Sequence, residues 1–291
     1  MARCLVTGHS GYIGSKVFAK LKELGHEVMG IDLQEGHDIL TQLKPHSDGS
    51  FHPHWIAFKP EYIFHLAAIP RVAYSVEHPI EVIENNVLSS LYVLEFARHV
   101  GAKRVIYSSS SSVRGNGNGP ENPYGASKYM PESMCKVWAS LYGIDTVCLR
   151  YFNVYSPCQK AGGPYATAIA NFMEHIRQGK TPFITGNGEQ SRDMAHVEDV
   201  VSANIFTMEH TGKFGGSWFD VGTGNNISLN EVKSIVLEHF PDIVFDYVEE
   251  RPGDVMTTKA NIQPLVELGW LPRNAIDIGI RECFENLRGE L

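Results

Sequence analysis

The sequence predicts an α/β protein built on a doubly wound parallel sheet, with a smaller mixed α/β lobe toward the C-terminus. Three observations lead there. In the first half, short apolar and β-branched runs alternate with amphipathic stretches, the sequence sign of βαβ units. The first run leads directly into a glycine-rich turn, as the opening unit of an open α/β sheet does. After Asn153 the alternation loosens, as expected where one unit gives way to another.

Taken in order, Arg3 to Thr7 reads as the first strand, and Tyr12 to Leu24 as a helix with apolar residues at helical spacing and Gly25 as its stop. Strands follow at Glu27 to Asp32, Tyr62 to Ala67, Arg104 to Ser109 and Thr146 to Tyr151. Between them, helices are predicted at Ile80 to His99, closed by Gly101, and at Pro123 to Tyr142, closed by Gly143. Beyond Asn153 the pattern gives a helix near Tyr165 to Gln178, a turn at Gly186 and Gly188, a helix near Val197 to Glu209 and a strand at Trp218 to Val221. Two more helices are expected at Leu229 to His239 and near Ile276 to Leu287. The resulting division is a dinucleotide-binding domain over 1–155, to which 192–224 returns, and a second lobe of 156–191 and 225–291.

Composition narrows the function. The chain has 291 residues, enough to bury most of its apolar surface. A hydrophobic fraction of 43%, a charged fraction of 20% and a mean hydropathy of -0.16 exclude disordered and fibrous classes. A net charge of -8 and a pI near 5.9 argue against nucleic-acid or anionic-membrane partners, which are bound through clustered Lys and Arg. No apolar run approaches the roughly 20 residues that span a bilayer, and the N-terminus runs straight into a strand, so a cytoplasmic protein is expected. Cys4, Cys135, Cys148, Cys158 and Cys283 are scattered, with no CxxC pair, which fits reduced thiols. No metal site is expected. His46, His52 and His54 cluster, but the stretch His46 to Trp55 reads as a loop without Cys or carboxylates at ligand spacing.

The first strand ends in TGHSGYIGS, with Gly8, Gly11 and Gly14 three apart. Glycines there permit a tight turn and let the backbone approach a pyrophosphate seated on a helix N-terminus. Asp32, closing the second strand, is placed to accept from a ribose 2′-hydroxyl and to repel a 2′-phosphate, favouring NAD over NADP. Asp38 is a candidate for the adenine edge.

Tyr124 and Lys128 in NPYGASK are four apart and share a helix face. An ammonium near a phenol lowers its pKa from about 10 and makes it a usable general base. Tyr12 and Lys16 have the same spacing, so spacing alone does not choose between them. Position does: Tyr124 opens the helix after the fourth strand, at the carboxyl edge where open α/β sheets bind ligands. That strand runs into Ser108 to Ser112, and Ser110 is the hydroxyl best suited to support a substrate oxygen beside the phenol.

Together these residues resemble the extended short-chain dehydrogenase/reductase family, and within it the UDP-sugar 4-epimerases. The motifs are TGHSGYIG, Asp32, the DIL segment at Asp38, HLAA at His65 to Ala68, ENNV at Glu84 to Val87, YSSSSSV at Tyr107 to Val113, NPYGASK, LRYFNVYSP, GNGEQSRD, and RPGD at Arg251 to Asp254. They span nearly the whole chain. The resemblance implies a Rossmann-type NAD domain, a C-terminal lobe binding a nucleoside-diphosphate sugar, UDP-linked by preference, and a homodimer paired through the helices at Ile80 to His99 and Pro123 to Tyr142. It assigns the cofactor to Gly8, Gly11, Tyr12, Ile13, Gly14, Asp32, Asp38, Ile39, Leu66, Ala67, Ala68, Asn86, Ser108, Tyr124, Lys128 and Tyr151. Ser110, Tyr124 and Lys128 match catalytic positions, while Ser110, Asn153, Arg192, Arg251 and Asp254 match substrate positions. The chemistry agrees, because an arginine fork suits diphosphate oxygens and a carboxylate suits a ribose diol.

The implied reaction is transient oxidation at sugar C4 to a 4-keto intermediate, followed by hydride return to its other face. Related dehydratases carry an Asp-Glu pair after the catalytic hydroxyl, and related decarboxylases a glutamate; here Ser111 and Ser112 stand there. Hydroxyls do not replace carboxylates in proton transfer at neutral pH, which puts dehydratase and decarboxylase below epimerase. A reductase or dehydrogenase with net redox is a further alternative, one that consumes cofactor in proportion to product, and intact Ser110, Tyr124 and Lys128 argue against a non-catalytic NAD-dependent sensor. Three departures bear on substrate range: a short segment RGNGNGPEN between Val113 and Pro123, Arg114 where relatives carry an aromatic, and no room for a full helix between Asp32 and the DIL segment.

Overall fold

The computed structural model describes residues 1–159, 167–249 and 256–291. Arg251, Asp254 and Tyr165 therefore lie outside the described residues. In chain order the elements are β1 (Arg3–Thr7), α1 (Tyr12–Glu23), β2 (Glu27–Ile31), α2 (Ile39–Gln42), α3 (Pro53–Phe58), β3 (Tyr62–His65), α4 (Val72–Glu77) and α5 (Pro79–Ile83). Then come α6 (Ser89–Val100), β4 (Arg104–Ser110), α7 (Pro123–Tyr142), β5 (Asp145–Tyr151), α8 (Ala168–Arg177), β6 (Phe183–Thr185), β7 (Ser191–Arg192), α9 (Val197–Glu209) and β8 (Ser217–Val221). The chain closes with β9 (Ile227–Ser228), α10 (Leu229–His239), β10 (Asp246–Val248), β11 (Thr257–Thr258), α11 (Gln263–Glu267) and α12 (Ile276–Glu290).

Two compact units are present: Met1–Arg150 with Val201–Phe219, and Tyr151–Val200 with Asp220–Leu291. The segment that returns to the first unit is thus shorter than the expected 192–224. The reason is Asp193, whose carboxylate accepts from the amides of Thr223, Gly224 and Ala260 and so binds both ends of that segment into the second unit.

The first unit carries a six-stranded sheet in the order β2-β1-β3-β4-β5-β8. β1 pairs in parallel with β2 and β3, and β3 with β4. β4 and β5 are buried along their whole length, as strands covered on both faces are. Leu5, Ile31, Ile63, Phe96 and Val105 are core members with almost no exposure, each contributing about 1.5–3 kcal/mol by leaving water.

Two expectations about this unit need correction. The stretch His46 to Trp55 is not loop throughout: Pro53 opens α3, and Trp55 and Phe58, three apart, turn into the core. One turn is too short for periodicity to reveal. The helix expected at Ile80 to His99 is interrupted by a π-helical turn at Glu84–Leu88 that buries Asn86. Such insertions are frequent at functional sites.

The second unit holds a parallel pair, β10 with β6, and a three-stranded sheet in the order β11-β7-β9. Its core gathers Phe172, Val232 and Phe284 from α8, α10 and α12, Ile184 from β6, and Tyr155 from the segment after β5. Among the described residues, no helix is long and apolar enough to cross a membrane.

Candidate active site

The glycine turn is closed on itself. Gly8 sits at φ +72, and a Cβ there would lie 2.7 Å from the amide nitrogen of Ala67; a Cβ at Gly14 would lie 2.0 Å from the carbonyl oxygen of Gly8. No side chain fits either place. The turn delivers the chain to Gly11, the cap of the twelve-residue α1, leaving amide donors at the helix start for an anion. Tyr12 and Ile13 form its first turn.

Asp32 is buried, and its carboxylate ties this turn to the end of β2. Oδ2 accepts from the amide of Ser10 at 2.9 Å and Oδ1 from that of Gln34 at 2.9 Å. Each oxygen retains a second lone pair for a diol. Glu35, which sequence reasoning passed over, accepts from Ser10 Oγ at 3.0 Å and bonds His9 Nε2 at 2.9 Å. Asp38 caps α2 through the amide of Leu40, and the side chain of Ile39 belongs to the core. Leu66, Ala67 and Ala68 follow β3, where the amide of Ala67 donates to Thr7 Oγ1 at 3.2 Å. Two carboxylates at this edge, Asp32 and Glu35, suit an unphosphorylated ribose and repel a 2′-phosphate, so the turn and its surroundings fit NAD.

The serine run is ordered, not loose. Ser108, Ser109 and Ser110 end β4, all buried. The carbonyl of Ser108 accepts from Lys128 Nζ at 2.8 Å, and Ser109 Oγ donates to Glu132 at 2.6 Å. Glu132 is itself held by a fork from Arg150 at 2.8 and 2.6 Å. Ser110 Oγ accepts from the amide of Ser112 and bonds the Tyr124 phenol.

α7 begins by local rule: Asn122 caps it by accepting from the amide of Gly125 at 2.8 Å, and Pro123 occupies its first position. Tyr124 and Lys128 are both buried, as the shared face requires. The amide of Tyr124 donates to Ser75 Oγ at 3.0 Å, a partner forty-nine residues away that no local signal announces. The expected lowering of the phenol by the lysine is not what the chain on its own provides. Burial pushes Tyr124 up, opposed by the bond from Ser110, and burial lowers Lys128 to about 7, opposed by Glu132. Desolvation wins because the ammonium is bonded to Ser108 rather than to the phenol.

Asn86 stands behind this face. Its side chain accepts from the amide of Ile69 at 2.8 Å and donates to the carbonyl of Ile69 and to Ser127 Oγ at 2.9 Å. Arg114 acquires an assignment: its guanidinium lies 5.5 Å from the centroid of Trp218, the ring on which Arg150 stacks at 3.8 Å. The short segment after it closes on itself, with both carboxylate oxygens of Glu121 taking donors from Asn116.

In the second unit, Asn153 and Arg192 line one open pocket of about 770 Å³ with Asn171, His175, Phe183 and Gln190. No acidic side chain is among its described lining residues. Asn153 has φ +35, and its Nδ2 donates to the carbonyl of Asp193 at 2.7 Å. A cation, amides and an aromatic ring in one cavity are suited to an anionic, planar ligand. Tyr151, at the end of β5, is buried at the start of this unit.

A dinucleotide-binding sheet with a buried serine, tyrosine and lysine defines an enzyme of the extended short-chain dehydrogenase/reductase type. The comparisons agree. A sequence profile of the NAD dependent epimerase/dehydratase family matches residues 4–222. The UDP-glucose 4-epimerase of Mycolicibacterium smegmatis is 32% identical over 99% of this chain and 99% of its own. A UDP-N-acetyl-alpha-D-glucosaminuronate decarboxylase of Bacillus cytotoxicus is 34% identical over 79% of this chain and 78% of its own. Among solved structures, UDP-glucose 4-epimerase of Thermotoga maritima with UDP-glucose has a TM-score of 0.86 at 30% identity, covering 99% of both chains. The Thermus thermophilus UDP-glucose 4-epimerase complex with NAD has a TM-score of 0.84 at 26% identity, covering 99% of this chain and 100% of its own. The chain belongs to the NAD dependent epimerase/dehydratase family, and its cofactor is NAD.

Proposed function

We propose that this enzyme epimerises a nucleoside-diphosphate sugar at C4, with a UDP-sugar as substrate, by oxidation to the 4-keto sugar and reduction from its other face. The observation that carries the reading is the Ser110–Tyr124 contact beside Lys128, with hydroxyls rather than carboxylates at Ser111 and Ser112. Tyr124 takes the proton of the sugar 4-hydroxyl and later returns it. Ser110 orients that phenol and supports the reacting oxygen, and Lys128 holds α7 against β4 while adding positive charge beside the phenol. Bound NAD supplies reversible hydride acceptance at a positively charged ring, without net redox. Asp32 and the glycine turn hold its adenosine end. Arg192 and Asn153, with Arg251 and Asp254, hold the nucleotide part of the substrate, for which a cavity lined by a cation and free of described acidic groups is suited.

The same reading includes a cytoplasmic homodimer paired through the helical stretches Ile80 to His99 and Pro123 to Tyr142, along which Ile80, Val137 and Leu141 are exposed. Light scattering of wild type and Leu141→Glu tests the pairing; a monomeric wild type overturns it.

The function is tested by incubating the protein with UDP-, GDP- and dTDP-sugars in deuterated water and following products by NMR. A 4-epimer without solvent deuterium is expected. Deuterium at C3 or C5, loss of water or loss of carbon dioxide overturns the 4-epimerase assignment.

A further inference from the structure

The buried polar residues behind the catalytic face form one continuous chain of hydrogen bonds, and its centre is His65. Thr7, at the end of β1, accepts from the amide of Ala67 and faces His65 Nδ1 at 2.8 Å. His65 Nε2 lies 3.0 Å from Ser90 Oγ, which donates to the carbonyl of Asn86 at 2.7 Å. The Asn86 side chain continues to Ser127 Oγ at 2.9 Å, and Ser127 donates to the carbonyl of Tyr124 at 2.8 Å. The path runs from the mouth of the glycine turn, through the π-helical turn, to the residue that bears the phenol.

Donor bookkeeping fixes the tautomer. The Ser90 proton is committed to a carbonyl, so Ser90 Oγ must accept from His65, and Nε2 carries the ring hydrogen. Thr7 Oγ1 already accepts from Ala67, which leaves its own proton for Nδ1. Both ring nitrogens are then satisfied by a neutral imidazole, whereas a second ring proton has only the remaining lone pair of Thr7 Oγ1 to accept it and turns that hydroxyl's own proton away from the ring. The ring is 2% exposed and lies 5.7 Å from that of Tyr107, on which the Lys128 ammonium rests at 5.2 Å. A neutral ring there spares the ammonium a charged neighbour.

We propose that His65 is a positioning residue: held neutral with its proton on Nε2, it couples the dinucleotide-binding turn to the first turn of α7 and sets the placement of the Tyr124 phenol. None of its atoms is asked to touch substrate. The kinetic part of the proposal rests on the C4-epimerase reading, whereas the tautomer does not.

Two measurements test it. In ¹⁵N-histidine NMR of the NAD-loaded protein, one histidine is expected with Nε2 protonated and Nδ1 bare, unchanged in protonation between about pH 5 and 9; this signal is expected to vanish in His65→Gln. A His65 that titrates in that window, or carries its proton on Nδ1, overturns the proposal whatever the substrate proves to be. For function, His65→Gln keeps an amide donor near the Nε2 position, His65→Asn keeps an acceptor near Nδ1, and His65→Leu keeps neither. With UDP-galactose, kcat is expected to fall roughly tenfold or more in His65→Leu, with KM within about twofold, a shifted pH profile of kcat, and partial rescue in the two amide variants. Wild-type kcat and pH profile in all variants that fold overturn it. A wild-type protein inactive on every nucleotide sugar sinks the epimerase reading and leaves the NMR result standing on its own.

Discussion

The ammonium of Lys128 donates to the main-chain carbonyl of Ser108 at 2.8 Å, so the lysine that shares a helix face with Tyr124 is anchored to the strand that ends in Ser110. It is a strut between α7 and β4 as well as a charge. Its burial lowers its pKa from 10.5 to about 7, and the folded chain binds fewer protons than the unfolded chain between those values. Stability therefore rises with pH across that window. Lys128→Met is expected to flatten the rise, measured as urea midpoints of the cofactor-free protein from about pH 7 to 10.5; an undiminished slope in the variant refutes the assignment.

His65 acts at the acid end. Burial and the neighbouring Lys128 lower it from 6.5 to about 3, so the unfolded chain takes up a proton that the folded chain refuses. Stability is lost as pH falls from 6.5 toward 3. The loss is expected to be shallower in His65→Asn, and thermal melts across that range check it.

Tyr124→Phe keeps the ring in place and removes only the phenol oxygen proposed as acid and base. Fold and NAD content are expected to be unchanged, with turnover down by roughly a hundredfold to ten-thousandfold. Near-normal activity rules out Tyr124 as the base.

Asp32→Asn leaves one oxygen where two accept, so the amide of Ser10 or that of Gln34 loses its acceptor, and it removes a negative charge from the proposed ribose position. NAD affinity is expected to fall and the NAD-to-NADP preference to narrow, by calorimetry with both cofactors. An unaltered ratio means that selectivity lies elsewhere, and Glu35 beside it becomes the next residue to vary.

Glu132→Ala strands a buried guanidinium and the Ser109 hydroxyl. A stability loss of about 3–5 kcal/mol is expected, read from urea unfolding, with most of it recovered when Arg150→Met is added. Failure of the second substitution to help contradicts the pairing.

Much of this protein could be read along the chain. The helix from Pro123 to Tyr142 matches its predicted bounds because an Asn cap, a first-position proline and a closing glycine are all local signals. The glycine turn is nearly as local: the positive φ of Gly8 and the 2.0 Å approach of a Cβ at Gly14 to the Gly8 carbonyl demand glycine within the turn itself, while the clash at Gly8 with Ala67 is added by the chain after β3. The one-turn α3 and the π-helical turn escaped, since neither is long enough to leave a period in the sequence.

The chemistry of the site divides along the same line. Residue types, spacing and position after the fourth strand together proposed Ser110, Tyr124 and Lys128: a four-residue interval puts Tyr124 and Lys128 on one helix face by geometry, and their place at the sheet's carboxyl edge set them apart from Tyr12 and Lys16. Their ionisation was not legible. Whether a phenol beside a lysine is lowered or raised depends on how much water is removed and where the ammonium points, and both follow from partners far apart in sequence: Ser75 for the amide of Tyr124, Ser108 for Lys128, Glu132 with Arg150 beneath them. Backbone pattern is set by neighbours along the chain, whereas desolvation and hydrogen-bond partners are set by neighbours in space, and the state of Tyr124 belongs to the second kind.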